Sequence, residues 1–179
     1  MGRMVAWPLV VVSLVLGLTG CVSIGFGNYK TFDEDGIGIT FKYPEEFEIT
    51  VQDVSPEIES AVAGRYVALD DRNHLDVIMY RLDRPVTNDD LPAMKARFDR
   101  DMSKATGVAV NSRPMEAGGF EGYEFEVFPP RADLPGGKVH FVLLLDGQIR
   151  YTLECESSPE GRAQVDNACD LMLRSLERR

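Results

Sequence analysis

The order of two kinds of apolar pattern limits the fold of this 179-residue chain more than any other feature. Over much of its length, apolar side chains alternate with polar ones, which is typical of half-buried β-strands. In two segments the apolar side chains instead recur at helical spacing: Leu91, Met94, Phe98 and Met102 in the first, and Val165, Cys169, Met172 and Leu176 in the second. Because several strand patterns separate the two helices, we predict an α+β fold with helices packed on an antiparallel sheet.

The strand patterns fall into neighbouring pairs. Residues 37–43 and 47–51 alternate on either side of Pro44 and predict a first hairpin. Residues 66–69 and 75–82 predict a second hairpin, because the short polar side chains between them favour a turn. After the first helix we predict four more strands, the last two joined at the turn signal Asp146-Gly147: residues 108–110, 122–128, 138–145 and 148–155.

Local signals mark the ends of both helices. Thr87 and Asp90 have nearly the spacing and chemistry of a capping box, and they precede the first helical run. Gly107 predicts the end of that helix. Ser157 and Glu160 bracket Pro159 and predict the start of the second helix.

The N-terminal segment indicates where the protein works. Arg3 is the only charged residue before the apolar run 5–18, which is short for a membrane span and reads as the core of a signal peptide. The run ends in Leu18-Thr19-Gly20-Cys21, which resembles the bacterial lipobox, where a small residue precedes a cysteine that is acylated on sulfur. The alternative is an uncleaved anchor helix with an incidental cysteine.

The lipobox resemblance divides the chain into three parts. We expect a lipoprotein signal peptide at residues 1–20, a lipid-anchored tether at residues 21–30 that begins with the lipidated Cys21, and a single domain at residues 31–179. The protein is then extracytoplasmic and held to a cell membrane, or another envelope membrane, by its lipid.

The remaining two cysteines fit an oxidising compartment. Cys155 ends a predicted strand and Cys169 lies in the second helix, so a disulfide between them would join that helix to the sheet. Two buried free thiols are the competing interpretation. A redox pair is disfavoured, because the chain has no Cys-x-x-Cys spacing.

The order of strand pairs, helix, meander and closing helix resembles the PsbP-like fold, as do three short pieces of sequence: Tyr43-Pro44-Glu45-Glu46-Phe47, Tyr151-Thr152-Leu153 and Leu173-Arg174-Ser175-Leu176. Bacterial envelope lipoproteins share this fold, and those of the LpqN type from actinobacteria resemble the chain most closely. The resemblance implies a PsbP-like sandwich over about residues 31–179 with a non-enzymatic adaptor or binding role. It supplies no catalytic residues.

Charge and composition narrow the partners. The formal charge is −10, from 19 basic and 29 acidic side chains. This net negative charge disfavours binding to nucleic acid, because it repels the phosphate backbone. We expect a monomeric domain that meets the membrane through its lipid and binds an envelope protein or an apolar small molecule. No cofactor or metal is predicted. The segment Asp33-Glu34-Asp35-Gly36 lacks the remaining ligands of a calcium loop and is interpreted as a solvated turn.

The two histidines give the only hints of catalysis. His74 and Asp76 fall on the same face of a strand, which could orient an imidazole as a base or a metal ligand, but a surface histidine beside a turn is the preferred interpretation. His140 is interpreted as a satisfied sheet residue. No nucleophile elbow or zinc-binding helix motif accompanies them, so we expect no enzyme.

Two surface features are candidate binding sites. Arg97, Arg100 and Lys104 share the polar face of the first helix and form a candidate docking face, although the interspersed Asp99 and Asp101 also fit a solvated surface. The long connection after residue 128 is a candidate binding loop; a tolerated hairpin insertion is the alternative. Its candidate residues are Pro129, Pro130, Arg131 and Leu134.

Three functions follow in order of preference. The first is a lipid-anchored adaptor or accessory binding module of the cell envelope. The second is a carrier for a lipid or another apolar molecule, lined by Met94, Phe98, Met102 and Tyr123. The third is an envelope hydrolase built around His74.

Overall fold

The computed structural model describes residues 27–51 and 61–179. The predicted signal peptide, the lipidation site Cys21 and most of the tether lie outside these residues, and the predictions made for them stay predictions. Among the described helices, none is both long and apolar enough to cross a membrane.

The described chain forms two antiparallel sheets and two α-helices. One sheet has seven strands in the order β3-β4-β5-β9-β8-β7-β6, and the other has three in the order β1-β2-β10. Their bounds are β1 Tyr29–Phe32, β2 Ile39–Pro44, β3 Glu48–Val51, β4 Ala61–Asp70, β5 Asn73–Arg81, α1 Leu91–Thr106, β6 Arg113–Ala117, β7 Phe120–Val127, β8 Lys138–Asp146, β9 Ile149–Ser157, α2 Arg162–Ser175 and β10 Glu177–Arg178. The predicted α+β class is confirmed.

Each face of the large sheet packs against a different helix. The main core lies on the α2 side, where Val165 and Met172 pack with Leu75, Leu153 and the small sheet's Phe41. Alternate residues of the same strands point the other way, as strand geometry requires. Those of β7 and β8 form a second apolar cluster beneath Phe98 of α1: Tyr123, Phe125, Val127, Val139, Leu143 and Leu145.

Both predicted helices form where their apolar spacing places them. Gly107 ends α1 with a left-handed backbone (φ 70°), a conformation that glycine adopts without steric cost. The Thr87–Asp90 capping box is present, at a short 3-10 turn immediately before α1. The second helix buries Val165, Cys169 and Met172 as predicted.

The predicted disulfide is confirmed. Cys155 in β9 and Cys169 in α2 are bonded, with their Cα atoms 6.1 Å apart. The bond joins the closing helix to the middle of the large sheet.

The first predicted hairpin is wrong. β2 pairs with β1 and β10, whereas β3 pairs with β4, so the two runs belong to different sheets. β2 ends at Pro44, and the Phe47 N–H donates to the Pro44 carbonyl (3.1 Å) in a tight turn between the sheets. Alternation showed that each run buries one face, but it could not show which strand each run pairs with.

The strand predicted at residues 108–110 is also wrong. Val108 and Val110 pack under α1, and the Val110 N–H donates to Ser103 Oγ of that helix (2.8 Å) rather than to a neighbouring strand. The strand forms instead as β6, which lies at the edge of the sheet among the described strands and tolerates Pro114 because only β7 pairs with it there.

Two short strands were not predicted. β1 includes Tyr29 and Lys30, which the sequence places in the tether, and they pair with Pro44 and Tyr43. β10 forms immediately after α2 and pairs with Thr40 and Ile39.

Candidate functional site

The face of the large sheet on the α1 side has two different halves. The half formed by β7 and β8 is apolar and packs under α1. The half formed by β4, β5 and β9 is polar. Several titratable side chains lie close together on this polar half, and we call them the acidic cluster. The cluster consists of Asp76, Glu154 and Glu156, with Tyr66, His74 and Arg131 around them.

Strand register brings the acidic cluster together. Asp76 of β5 lies directly opposite Glu154 of β9, and His74 lies opposite Glu156. On the other side of β5, Tyr66 of β4 lies opposite Asp76. Direct cross-strand partners have Cβ atoms about 5 Å apart. Three carboxyl groups therefore share one small area of the sheet.

Burial makes this arrangement unusual. His74 is 6% exposed, and Asp76 and Glu156 are each 7% exposed. Glu154 and Tyr66 keep intermediate exposure, so solvent reaches the acidic cluster at these two side chains. A buried carboxylate loses its hydration and needs a compensating partner.

Only part of the acidic cluster has such a partner. Arg131 Nη1 donates to Glu156 Oε2, and Arg131 Nη2 donates to Asp133 Oδ2 (2.6 Å). Among the described residues, Asp76 Oδ1 and His74 Nδ1 have no hydrogen-bond partner. His74 Nε2 lies 3.9 Å from Asp76 Oδ2, beyond hydrogen-bond distance, and the His74 ring packs against the Tyr66 ring with centroids 4.7 Å apart.

Burial dominates the titration of the acidic cluster. Desolvation, with the charges of Glu154 and Glu156, raises the pKa of Asp76 to about 8, against a smaller lowering effect of the Tyr66 hydroxyl. Desolvation and Glu156 likewise raise the pKa of Glu154 to about 7. Desolvation lowers the pKa of His74, which favours the neutral imidazole.

Asn73 fixes the end of the strand that carries His74. Its side-chain amide donates to Asp70 Oδ1 (2.8 Å), which closes the β4–β5 turn. Its oxygen accepts from the Ser158 N–H (2.9 Å), which ties that turn to the end of β9. The two strands that present His74 and Glu156 are thus held together at the end nearest to them.

The predicted pairing of His74 and Asp76 on one face is confirmed, but the interpretation of His74 as a surface residue is wrong. The turn before it is exposed, yet Glu156 opposite and Tyr66 beside it bury the ring. Sequence analysis did not single out Glu154, Glu156 and Tyr66. The available signal is that Glu154 and Glu156 alternate with the apolar Leu153 and Cys155 at the end of a predicted strand.

His140 is a satisfied sheet residue, as predicted. Its Nε2 lies 2.8 Å from Glu124 Oε2, and its Nδ1 lies 3.5 Å from Cys169 Sγ in the disulfide. This histidine faces α2 and is separate from the acidic cluster.

The candidate docking face lies on the solvent side of α1. Arg97 and Arg100 are highly exposed, and each has a guanidinium nitrogen 3.4 Å from Asp101. Lys104 is exposed as well. Acidic side chains are interspersed as the sequence indicates, and a docking role for the face stays a prediction.

The candidate binding loop folds back onto the sheet. Pro129 and Leu134 are buried, whereas Pro130 is exposed. Arg131 is the residue of this loop that reaches the acidic cluster. A role of the loop in binding stays a prediction.

The residues proposed to line a carrier cavity share one apolar cluster. Met94, Phe98 and Met102 lie in the apolar cluster under α1. Tyr123 belongs to the same cluster and also lines a surface pocket of about 330 Å³ with Leu91 and Met115, and its hydroxyl donates to the Leu91 carbonyl (3.1 Å).

In residues 27–51 and 61–179, no three histidine, cysteine, aspartate or glutamate side chains are placed to hold a metal ion. The Asp33–Gly36 turn uses its carboxylates in ion pairs. Arg179 contacts Asp33 and Asp35 at 3.0 Å, and Arg65 contacts Glu34 at 3.1 Å.

Solved structures show which class of fold this is. The chain has the PsbP-like fold, which confirms the predicted PsbP-like sandwich. It is similar to the solution structure of cyanobacterial PsbP (CyanoP) from Synechocystis sp. PCC 6803, with a TM-score of 0.58 and 14% identity over 90% of this chain and 99% of that chain.

A crystal structure from Bacteroides thetaiotaomicron VPI-5482 is also similar, with a TM-score of 0.54 and 12% identity over 84% of this chain and 48% of that one. At these identities the likeness concerns the fold alone. By sequence, no protein-family profile and no curated protein matches the chain. The finer resemblance to LpqN-type lipoproteins stays a prediction.

Proposed function

We propose that the protein is an extracytoplasmic binding module, anchored by lipid at Cys21, that serves as an adaptor for another component of the cell envelope. The N-terminal Leu18-Thr19-Gly20-Cys21 sequence supports the anchor. The Cys155–Cys169 disulfide supports an oxidising compartment, because such bonds are rare in the reducing cytosol.

The acidic cluster is the observation that carries the binding role. A fold under selection for stability alone would not place Glu154 directly opposite the buried Asp76, since neutral or apolar side chains would cost less free energy there. Groups that reduce stability in this way are typical of functional sites. Strands β5 and β9 also hold them rigidly, which suits recognition.

The geometry supports binding over hydrolysis. A catalytic imidazole needs an orienting hydrogen bond and a nearby nucleophile. His74 is too far from Asp76 for that bond, and within the described residues no hydroxyl or thiol hydrogen-bonds to His74.

Site-specific photocrosslinking tests the adaptor role. A photoreactive p-azidophenylalanine replaces Tyr66 at the rim of the acidic cluster in the full chain, expressed in its native cells. The matched control carries the same group at Tyr29, which is 53% exposed in the small sheet. A discrete adduct from position 66 that is absent from position 29 supports the proposal. No adduct, or the same adducts from both positions, contradicts it.

The surface pocket beside Leu91 favours a second candidate function, a carrier for a small apolar molecule. Its volume of about 330 Å³ is at the lower end of the usual range for ligand pockets, and Leu91, Met115 and Tyr123 line it. Native mass spectrometry of the detergent-extracted protein tests this role. A small molecule that co-purifies with the wild type and is lost in Met115→Asp supports the carrier role. If the molecule is retained in Met115→Asp, it binds outside this pocket.

The basic face of α1 offers a further route to docking. If it contacts anionic lipid or an acidic partner, Arg97→Glu combined with Arg100→Glu weakens membrane or partner association. If the double variant associates with the membrane or the partner as strongly as the wild type, the basic face of α1 is a solvated surface without a docking role. Because Arg97 and Arg100 are 79% and 71% exposed, the double substitution leaves the fold intact.

A further inference from the structure

The acidic cluster has more carboxylates than cations. It contains Asp76, Glu154 and Glu156, and Arg131 is paired with Glu156. Among the described residues, no Lys or Arg forms an ion pair with Asp76 or Glu154. His74 does not supply the missing charge, because burial keeps its imidazole neutral.

The residues outside the described ranges contain almost no cationic side chain that could pair with the acidic cluster. Of its 19 Lys and Arg residues, all except Arg3 lie within the described ranges. Residues 52–60, which connect β3 and β4, contain acidic side chains and no Lys, Arg or His. Arg150, farther along the same sheet face, stacks on the Tyr80 ring with its guanidinium carbon 4.0 Å from the ring centroid.

We propose that the acidic cluster is a binding site for one organic cation, an ammonium or guanidinium group, held between Asp76 and Glu154. This inference rests on the proposed binding function and names the chemistry recognised there. Asp76 Oδ1, buried and without a partner among the described residues, is the first acceptor for a donor N–H of the cation. The adjacent carboxylate of Glu154 supplies the second.

The surroundings favour an organic cation over a metal ion. Residues 27–51 and 61–179 contain no carboxylate set arranged to coordinate a metal. The exposed rim of the cluster includes Tyr66, an aromatic ring on which an ammonium or guanidinium group packs favourably. The cation can be a free amine or the end of a partner's Lys or Arg side chain, since both present the same group.

Binding is coupled to proton release. Near neutral pH, Asp76 and a fraction of Glu154 are protonated in the free protein, because burial and the charge of Glu156 raise both pKa values. The groups facing them are Tyr66 on β4, His74 on β5, Glu156 on β9 and Arg131 on the β7–β8 loop. A bound cation favours the ionised carboxylates, so affinity rises with pH, by up to about tenfold per pH unit for each proton released.

Carboxyl-carbon NMR of the full chain in detergent micelles tests this assignment. The chain is labelled with ¹³C at its Asp and Glu carboxyl groups and titrated with n-butylammonium chloride at pH 7 and pH 8, with potassium chloride at matched ionic strength as the control. Saturable shifts of the Asp76 and Glu154 signals toward ionised positions, with tighter binding at pH 8, are expected. No shift beyond the potassium control overturns the proposal.

Matched variants locate the binding. Asp76→Asn and Glu154→Gln each abolish the response while keeping side-chain size, whereas Asp170→Asn, at an exposed carboxylate of α2, leaves it unchanged. A response that survives both cluster variants places the cation elsewhere and overturns the assignment. A second titration uses the N-acetylated tripeptide amide Gly-Lys-Gly, whose only cation is the lysine ammonium: binding of the peptide indicates a partner's side chain, and binding of butylammonium alone indicates a free amine.

The two proposals fail separately. A crosslink from position 66 combined with no cation response removes the cation site and leaves the adaptor role standing. A cation response without a crosslink keeps the site and removes the protein partner.

Discussion

The carboxyl groups of the buried Asp76 and the partly buried Glu154 face each other across strands β5 and β9, with no cation between them in the described chain. On the opposite face of the sheet, a glutamate does have a partner within the fold. Glu124 Oε2 lies 2.8 Å from His140 Nε2. Glu124 therefore has a cationic or hydrogen-bonding partner within the fold, whereas Asp76 and Glu154 have no Lys or Arg partner among the described residues. This difference makes the acidic cluster the part of the molecule where stability and function conflict.

Asp76→Asn should stabilise the isolated protein. The folded state keeps Asp76 protonated near neutral pH at a free-energy cost that an amide of the same size does not carry. We expect the free energy of unfolding at pH 7.5 to rise by on the order of 2 kcal/mol, measured by urea denaturation. Asp170→Asn should leave it nearly unchanged. A lower stability of Asp76→Asn would show that the carboxylate has a structural role.

The unfolding free energy should fall between pH 6.5 and pH 8.5. The pKa values of Asp76 and Glu154 are raised to about 8 and about 7, so the folded state holds protons that the unfolded chain has already lost. Each such proton lowers stability by about 1.4 kcal/mol per pH unit until the pH passes the pKa of the folded state, so the decline levels off above about pH 7 for Glu154 and above about pH 8 for Asp76. Below pH 6.5 the lowered pKa of His74 acts in the opposite direction, since the unfolded histidine takes up a proton that the buried ring does not.

Denaturation curves at pH 6.5, 7.5 and 8.5 check this dependence. The double variant Asp76→Asn with Glu154→Gln is the control and should be nearly flat over the same range. An equal decline in both proteins would assign the effect to other groups.

The sequence was informative wherever a local pattern decides the structure. Helical spacing with Gly107 placed α1, the Asp146-Gly147 turn signal placed the β8–β9 hairpin, and cysteine pairing predicted the disulfide. Strand partners were harder, because alternation shows a buried face but not the strand beside it. That is why β2 and β3 were paired with each other although they belong to different sheets.

The acidic cluster could be predicted only in part for the same reason. His74 and Asp76 are two residues apart, so strand periodicity places them on one face. Glu154 and Glu156 are far away along the chain, and only the pairing of β5 with β9 brings them opposite. Their burial depends further on Tyr66 and on Arg131 in a loop, which no local pattern specifies.

Removing the disulfide should loosen α2 from the sheet. Cys155 and Cys169 are 14 residues apart, and closing a loop of that size stabilises a fold by about 3 kcal/mol in the chain-entropy model. The double variant Cys155→Ser with Cys169→Ser should lose about that much unfolding free energy. Mass spectrometry after alkylation, with and without reductant, verifies the bond in the wild type; equal thiol labelling in both samples would exclude it.

Replacing Cys21 with alanine should remove the lipid anchor. The thiol of Cys21 is the acyl acceptor in the lipobox interpretation, and no other side chain can replace it. Metabolic labelling with palmitate should disappear, and the protein should leave the membrane fraction. Retained labelling would refute the lipobox assignment.

Arg131→Gln should open the β7–β8 connection. Arg131 joins this loop to the sheet through Glu156, which is 7% exposed and loses its only ionic partner in the described chain. Because the Arg131 side chain is 40% exposed, solvent moderates the effect, and we expect a loss of about 1 kcal/mol with faster proteolysis at residues 128–137.

A double-substitution cycle separates the ion pair from other effects of Arg131→Gln. Adding Glu156→Gln to the Arg131 variant removes the unpaired buried carboxylate and should restore most of the stability. Arg113→Gln is the matched control, because Arg113 pairs with Glu124 but is 73% exposed, so its loss should be close to zero. Failure of Glu156→Gln to restore stability would mean that Arg131 holds the loop through Asp133 rather than through the acidic cluster.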